Sequence, residues 1–234
     1  MRRLVVSLYL LSLLAGSAMA QVEKVKNQPY ADMKLFHLGF HVGLHTQDLI
    51  LTNTGAATAG GQTWFAEIPI YSPGFTVGII GDMFMNPYFN LRFIPSIHFG
   101  DKKIVFREYE SKEEYTATVR SNYLTFPLEV KYSSFRLNNY RPYLTAGIYG
   151  ALDLGRKKGE SILLKGMDYG ITLGVGCDIY LPYFKLCPEL KLHFGLRDLL
   201  VTDRADLTQP ELSIYTDALS KATSRLIILT FNFE

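Results

Sequence analysis

The stretch Leu35-Phe-His-Leu-Gly-Phe-His-Val-Gly-Leu-His-Thr46 alternates strictly between two kinds of side chain. Even positions from Phe36 to Leu44 are all apolar, whereas odd positions from His37 to His45 are histidine or glycine. Successive side chains of a β-strand point to opposite faces, so the stretch predicts a strand with one apolar face and one polar or small face. A soluble sandwich shows the same alternation, so one strand alone does not reveal its surroundings.

The same period-two pattern recurs along the chain and predicts a set of barrel strands. They span Lys34–Thr46, Pro73–Phe84, Tyr88–Phe99, Asn122–Tyr132, Arg141–Leu152, Asp168–Tyr180, Phe184–Gly195 and Ser224–Phe233. Each is near the roughly 9–11 residues that a tilted strand needs to cross a bilayer. Every backbone polar group in hydrocarbon must be paired, so a membrane sheet has to close on itself. The sequence therefore predicts an all-β fold, an eight-stranded antiparallel transmembrane β-barrel over residues 34–234.

The predicted connections alternate in length. Three are short, namely Met85–Pro87, Ser133–Tyr140 and Leu181–Tyr183, and four are long, namely Thr46–Ser72, Gly100–Ser121, Asp153–Met167 and Leu196–Thr223. Short turns at one end and long loops at the other are typical of outer-membrane barrels, with the short turns on the periplasmic side.

Two of the long loops carry patterns of their own. Residues 101–120 have β-rich flanks and predict a hairpin that continues the third and fourth strands beyond the membrane. An exposed edge of that hairpin is suited to pairing with another protein, although a simply solvated hairpin fits the sequence equally well. In the last loop, Pro210–Leu219 has helix-like start signals.

The N-terminus has the features of a secretion signal. Arg2-Arg3 precede an apolar run from Leu4 to Leu14, and Ala18-Met19-Ala20 follow. This order predicts a signal peptide over residues 1–20, a periplasmic tail over 21–33 and, after cleavage, residence in the cell outer membrane.

Composition excludes some classes and favours a membrane barrel. The formal net charge is +2, and loss of Arg2 and Arg3 with the signal peptide leaves equal numbers of acidic and basic residues. A nucleic-acid-binding protein would carry a basic excess. The chain is 48% hydrophobic and 13% aromatic. A soluble lipocalin-type barrel would turn the apolar face inward, but the opposite face here is rich in glycine, which fits a narrow lumen.

The polar face predicts a structural network inside the lumen. Its members are Asp82, Arg92, Glu129, Lys131, Asp178, Glu189, Lys191, His37 and His41, and Lys185 shares their register. Charges in a narrow, low-dielectric lumen have to pair, because each unpaired one costs several kcal/mol. Paired side chains that fill the lumen predict a closed plug and not a conducting pore.

The histidines raise the question of a metal site. All five, His37, His41, His45, His98 and His193, lie on the predicted lumen face. Along a strand, His41 and His45 would be about 13 Å apart, so one strand cannot chelate a metal through both. We therefore interpret the histidines as polar filler and expect no metal and no cofactor.

Catalytic motifs are not apparent in the sequence. It contains no G-x-S-x-G, H-E-x-x-H, C-x-x-C or Walker pattern. Carboxylates next to lysine and arginine are usually structural, so we expect no enzyme activity, no catalytic residue and no small-molecule substrate. Cys177 and Cys187 fall on opposite faces of a predicted hairpin, which predicts two free thiols.

Several blocks of sequence resemble one family of exported barrels, the PorT family of the type IX secretion system in the Bacteroidota. The resemblance is carried by residues 27–48, Pro87–Pro95, Tyr123–Tyr132, Arg141–Gly147 and Phe194–Leu200. It implies a non-enzymatic role in exporting proteins with C-terminal secretion signals and, in gliding species, in motility. It also implies outer-membrane lipid and other secretion-system proteins as partners. Because a plugged barrel cannot be the conduit, the hypothesis is an accessory or scaffold subunit.

Two alternatives from other classes stay open on the sequence. One is a generic structural or adhesion-type barrel of the outer membrane. The other is an outer-membrane lipid-modifying enzyme, for which a serine, a histidine and an acid near the membrane interface would be needed.

Overall fold

The computed structural model describes residues 26–55, 62–67, 72–109, 112–155, 162–203 and 213–234. The predicted signal peptide and residues 21–25 of the predicted tail lie outside these ranges. Within them, the strands are β1 Phe36–Asn53, β2 Trp64–Glu67, β3 Ser72–Phe84, β4 Phe89–Phe93, β5 Ser96–Phe99, β6 Asp101–Glu108, β7 Glu114–Arg120, β8 Tyr123–Ser133, β9 Tyr140–Asp153, β10 Met167–Tyr180, β11 Lys185–Gly195 and β12 Leu219–Phe233. A 3₁₀ turn, Ala31–Met33, and a short helix, α1 Ser213–Asp217, complete the described elements.

Helices contribute little to the described chain. Of the stretch with helix-like signals, Pro210–Leu219, residues 210–212 lie outside the described ranges, and the described part contains α1, which has 5 residues. No helix in the described ranges has the length and apolar character needed to cross a membrane.

One sheet closes into a ring, as predicted. Its order begins β1-β12-β11-β10-β9-β8. Both β4 and β5 pair with β8 on one side and with β3 on the other, and β3 pairs with β1 to close the ring. Phe40 of β1 therefore has Phe233 on one side and Ile79 on the other. Since β4 and β5 are consecutive pieces of one strand, the ring is eight-stranded and every neighbouring pair in it is antiparallel.

A proline interrupts the third barrel strand without changing its register. Before the break, Phe93 pairs with Gly81. After it, Ser96 pairs with Gly78. Two residues separate Phe93 from Ser96, and two separate Gly78 from Gly81, so the register is kept. Pro95 has no backbone N–H to give to the ladder, which accounts for the gap between β4 and β5.

The first and last barrel strands are longer than the sequence predicted. The prediction ended strand one at Thr46 and began strand eight at Ser224, whereas β1 runs on to Asn53 and pairs with β12 back to Leu219. Gln47, Asp48 and Leu49 are all buried. A strand covered on both faces does not alternate, and the sequence signal therefore stops before the strand does.

The described parts of the long connections form a folded layer at one end of the ring. The predicted hairpin over 101–120 is present, since β6 pairs with β7 from Asp101–Arg120 to Arg107–Glu114. The interval Thr46–Ser72 was predicted as a plain loop. This prediction is wrong over Trp64–Glu67, because these residues form β2 and pair with β6. Four residues are too few to show alternation, and this pairing is not local. Because β6 is now paired on both edges, only β2 and β7 have an outer edge in this described sheet.

An apolar core holds that layer together. The buried members are Leu49, Trp64, Ile104, Phe106, Ala117, Ile162, Leu164, Leu199, Leu200, Ala218, Leu219 and Ala222. They come from the ends of the barrel strands, from the β2-β6-β7 sheet and from the loops. We call this assembly the long-loop layer; the opposite end of the ring carries the short turns.

Candidate functional site

The inward face of the ring is polar and closed to solvent. Eight of the nine predicted lumen residues have exposures between 0% and 5%: Asp82, Arg92, Glu129, Lys131, Asp178, Glu189, Lys191 and His41. The ninth, His37, is half-buried at the short-turn end, where its Nε2 lies 2.5 Å from the carbonyl oxygen of Ala31. Strict alternation along each strand places all of these side chains on the inner face.

Arg92 on β4 is the centre of the charged network. Its guanidinium lies 3.4 Å from Asp82, 3.2 Å from Glu189 and 3.0 Å from Glu234. The Arg92 side chain is 0% exposed. Its two terminal nitrogens donate hydrogen bonds to Glu189 and Glu234, and Asp82 adds an ion pair on the third side. The planar guanidinium fixes these donors in one geometry, unlike the flexible ammonium of lysine.

Three lysines complete the network. Lys131 binds Asp178 at 2.8 Å, and Lys185 binds Glu234 at 2.6 Å. Lys191 reaches Glu129 at 2.8 Å and Glu189 at 3.6 Å. Every cation of this layer, which we call the charged layer, therefore has a carboxylate partner.

Neutral donors also bind the carboxylates. Tyr143 and Asn232 donate to Glu189 at 3.2 Å and 2.8 Å, and Asn90 donates to Asp82 at 2.5 Å. Buried ions are tolerated when opposite charges and hydrogen bonds satisfy them together.

Sequence reasoning missed Glu234. Its side chain is 0% exposed and binds both Arg92 and Lys185. A signal was available, because Thr230 and Asn232 lie inward on β12 and Glu234 is the next residue of that register.

Glycines make room for these large side chains. A Cβ on Gly174 would lie 3.0 Å from Glu189 Oε1, and one on Gly176 would lie 2.5 Å from the Tyr143 hydroxyl oxygen. Both distances are shorter than normal van der Waals separations. The glycine-rich inner register therefore allows the charged layer to fit inside so small a ring.

Histidines and a tyrosine form a second layer above the charged one. His45 and His98 have ring centroids 5.2 Å apart, and His98 and His193 have theirs 6.2 Å apart. Tyr149 stacks on His193 at 4.6 Å. We call His41, His45, His98 and His193 the histidine layer. A cavity of about 10 Å³, lined by His41, His98, His193 and Lys191 among others, lies beside it.

Within the described part of the lumen, the histidines do not form a metal centre, and Ser96 is not paired with His98. No group of three or more histidine, cysteine, aspartate or glutamate side chains in the described ranges is arranged to hold a metal. Ser96 Oγ donates to the carbonyl of Ile94 at 2.8 Å, and His98 Nε2 lies 3.0 Å from Thr125 Oγ1. Ser96 and His98 therefore bond to different partners and not to each other.

A third set of polar groups lies at the top of the lumen, below the long-loop layer. Lys102 is 1% exposed and donates to the Tyr123 hydroxyl at 2.8 Å. Ser224 donates to Asp168, and the Tyr149 hydroxyl lies 3.4 Å from Ser224 Oγ. Polar contacts thus continue from the short turns to the long-loop layer.

Comparison with known proteins assigns the family. Residues 19–201 match the model of the outer membrane protein beta-barrel domain. The chain belongs to this family. No curated protein matches the sequence. Among solved structures, OprG from Pseudomonas aeruginosa is similar at 14% identity and a TM-score of 0.42. The alignment covers 85% of this chain and 93% of the OprG chain. Neisserial surface protein A is similar at 11% identity and a TM-score of 0.42, covering 85% and 98%.

As an outer-membrane barrel, the chain turns its apolar register toward lipid. Phe36, Leu38, Phe40, Val42 and Leu44 of β1 are between 43% and 72% exposed. The neighbouring inward positions are buried or half-buried. A lipocalin-type interpretation requires the reverse arrangement and is therefore wrong. The protein resides in the cell outer membrane.

The two cysteines of the barrel are free thiols on opposite faces. Cys187 is 0% exposed in the lumen, and Cys177 is half-buried on the outer register. Their placement agrees with the register predicted from the sequence.

The segment that precedes β1 is bound to the short turns of the barrel. Asp32 lies 3.3 Å from Arg141 and accepts a hydrogen bond from the Tyr180 hydroxyl at 2.5 Å. Asn27 donates to the carbonyl of Tyr180 at 3.0 Å, and Arg136 lies over the Tyr180 ring at 3.6 Å. Residues 27–32 are therefore tied to the turns of the barrel.

Two charged groups at the long-loop end, Arg107 and Asp198, have shifted pKa values. Arg107 lies between Glu67 and Glu114 at 2.5 Å and 2.6 Å, and these carboxylates raise its pKa above the usual value. Burial would raise the pKa of Asp198, but the backbone N–H groups of Ala222 and Leu200 outweigh that effect and lower it below 3.8.

Proposed function

We propose that this barrel is a non-enzymatic accessory or scaffold subunit of type IX protein secretion in the outer membrane. Such a subunit supports the export of proteins with C-terminal secretion signals and, in gliding species, motility. The observation that carries the proposal is the filled lumen: charged and histidine layers occupy its interior, and the long-loop layer covers one end. A chain that cannot pass cargo acts in secretion by contacting other proteins. The PorT resemblance names the system.

The orientation follows from the same proposal. Removal of residues 1–20 leaves a tail, 21–33, in the periplasm, and residues 34–234 form the barrel. The short turns then face the periplasm, as in other bacterial barrels. The contacts of Asn27 and Asp32 with those turns support a tail anchored at the periplasmic end.

The lumen network has a structural role in this proposal. Its residues, Asp82, Arg92, Glu129, Lys131, Asp178, Glu189, Lys191, His37 and His41, fill the ring and hold no cofactor, metal or small-molecule substrate. The mutual pairing of the buried charges supports this role.

The partners we propose are outer-membrane lipid around the barrel and other secretion-system proteins at the long-loop layer, with no nucleic acid. The outer edge of β7 is a suitable contact. Within the described residues, β7 pairs only with β6, and its Thr116 and Thr118 are exposed. An unpaired strand edge accepts an extended segment of another chain through backbone hydrogen bonds.

The test of the proposed role is the culture-supernatant proteome of a clean deletion strain, with and without complementation. Loss of signal-bearing cargo from the medium, restored by complementation, supports the proposal. Unchanged secretion with an altered envelope overturns it in favour of a structural or adhesion barrel. Unchanged secretion with altered lipid A overturns it in favour of an enzyme.

The proposed contact surface has its own test. A photo-crosslinking residue at Thr116 or Thr118 in the complementing copy is compared with one at Ile148, which is 64% exposed on the lipid-facing register. Crosslinks to secretion components from β7 alone support the contact. Equal crosslinks from both positions, or none from β7 in a strain that secretes normally, place the contact elsewhere.

A further inference from the structure

We propose that the histidine layer makes the lumen an acid-labile seal, closed at neutral pH and opened to water in mildly acidic surroundings. The layer combines three elements of the wall: His41 and His45 come from β1, His98 from β5 and His193 from β11. All four side chains are between 2% and 4% exposed. Such a seal acts in the barrel itself, whatever partners the barrel has.

The hydrogen bonds of the layer show which ring nitrogen of His45 and of His98 carries a proton. Thr125 Oγ1 lies 3.4 Å from the carbonyl of Ser96 and donates to it, so it accepts from His98 Nε2. His45 Nε2 donates to the carbonyl of Phe75 at 3.2 Å. His45 and His98 therefore each carry a proton on Nε2, an assignment that follows from these hydrogen bonds.

Several other ring nitrogens of the layer make no hydrogen bond to a described residue. His45 Nδ1 and His98 Nδ1 are buried without a hydrogen-bond partner among the described residues. Neither ring nitrogen of His193 has such a partner. A proton added at these atoms would create a positive charge in a buried site, which is costly unless an opposite charge is paired with it.

Charged groups below the layer do not compensate for an imidazolium. Lys191 lines the same cavity as His41, His98 and His193. Glu129 and Glu189 are already bound to Lys191, and Glu189 is also bound to Arg92.

The groups above the layer are no more favourable. Lys102 of β6 points to the Tyr123 hydroxyl, and Asp168 of β10 accepts from Ser224. Tyr149 of β9 is neutral, and the β12 residues at the cavity, Ile228, Thr230 and Asn232, carry no charge. β3 contributes Thr76 to the inner face at this level, opposite His98. Lysines therefore lie on both sides of the layer, and the nearby carboxylates are occupied.

Proton linkage converts this arrangement into a pH response. An imidazole in water takes up a proton with a pKa of about 6.5, so a hydrated lumen binds protons that the sealed lumen rejects. The sealed state is fully favoured above that pH and is lost as the pH falls below it. Each histidine lowers the sealed-to-open ratio about tenfold per pH unit, and three acting together lower it about a thousandfold.

The chain contains its own reporter of opening. The Cys187 thiol is 0% exposed on the inner face of β11. In a Cys177→Ala background it is the sole thiol. Its reaction with dithiodipyridine, an aromatic disulfide that remains reactive in acid, is followed in liposomes at about pH 7.5 and about pH 5. Each rate is divided by the rate for the urea-unfolded chain at the same pH, which removes the pH dependence of the thiol itself.

The expected result is strong protection of Cys187 at the higher pH and a loss of protection of at least tenfold at the lower one. The variant His45→Gln/His98→Gln/His193→Gln keeps only His41 of the layer and is expected to lose most of the acid response, because an amide does not titrate. Should that variant not fold, His193→Gln alone, which removes the ring with two unpartnered nitrogens, is expected to reduce the loss. His37→Gln, outside the layer, is the matched control and is expected to respond like the parent.

Two results overturn the proposal. One is equal protection of Cys187 at both pH values in the parent protein. The other is an undiminished acid response in the histidine variants, which would assign the opening to the carboxylates of the charged layer.

Discussion

Arg92 and Glu234 are joined across the lumen by a 3.0 Å ion pair, although they are 142 residues apart in the chain. Both side chains are 0% exposed. The pair connects β4 to the end of β12, on different parts of the ring. The charged layer therefore helps to hold the ring together from inside, in addition to the backbone hydrogen bonds of the strands.

Replacing Arg92 by alanine is expected to destabilise the barrel strongly. The change leaves Glu189, Glu234 and Asp82 without their shared cation, and breaking a buried ion pair on one side typically costs about 3–5 kcal/mol. Urea unfolding of the protein in lipid, followed by circular dichroism, measures the effect. The control is Arg107→Ala, which removes an exposed arginine paired with two carboxylates and is expected to change little. Equal loss from both variants would contradict a stabilising role of the lumen pairs.

Adding a methyl group at Gly176 is expected to disrupt the packing of the lumen. The new Cβ would lie 2.5 Å from the Tyr143 hydroxyl oxygen, and overpacking of this kind costs about 1–3 kcal/mol. The matched control is Gly150→Ala on β9, where a Cβ meets nothing within 4 Å. The two variants are refolded, and their stabilities are compared by the temperature at which each loses the gel mobility of the folded barrel. A Gly176→Ala barrel as stable as the Gly150→Ala barrel would show that the inner register has spare room.

Phe106→Ala is expected to loosen the long-loop layer and leave the ring intact. Phe106 is 0% exposed and contacts the Tyr215 ring at 5.1 Å, and removing a buried phenylalanine costs about 3–5 kcal/mol. Trp64, the only tryptophan of the chain, lies 5.2 Å from the same ring, so its fluorescence reports on this layer.

The expected result for Phe106→Ala is a fluorescence transition at lower urea with an unchanged far-ultraviolet transition. Val105→Ala, on the opposite face of β6 and half-buried, is the control. If both probes shift together in Phe106→Ala, the layer and the ring unfold as one unit.

Acid is expected to weaken the anchor at Asp198. Its carboxylate accepts hydrogen bonds from the N–H groups of Leu200 at 3.2 Å and Ala222 at 3.0 Å, and its pKa is lowered below 3.8. A lowered folded-state pKa means that this contribution is complete above pH 3.8 and is lost as the pH falls through the lower value. The amide shifts of Leu200 and Ala222 should titrate together below pH 3.8. A midpoint at or above 3.8, or no titration, contradicts the assignment, and Asp198→Asn should abolish the transition.

Much of the barrel was predictable because strand alternation is local. His37 to His45 and Phe36 to Leu44 reveal an inner and an outer face without reference to any other strand. The long-loop layer was less predictable. β2 is only 4 residues long, and the part of β1 beyond Thr46 is buried on both faces, so neither shows the periodic signal. Their positions depend on packing against Phe106 and its neighbours in the apolar core.

The same division holds for the lumen. The sequence by itself determined which side chains face inward, since the direction of a side chain in a strand depends only on its position along that strand. Only the tertiary structure decided that Arg92 meets Glu234 and that His45, His98 and His193 lie together. Those contacts depend on the stagger between strands that are far apart in the chain. That stagger is set when the ring closes and every backbone hydrogen bond finds its partner.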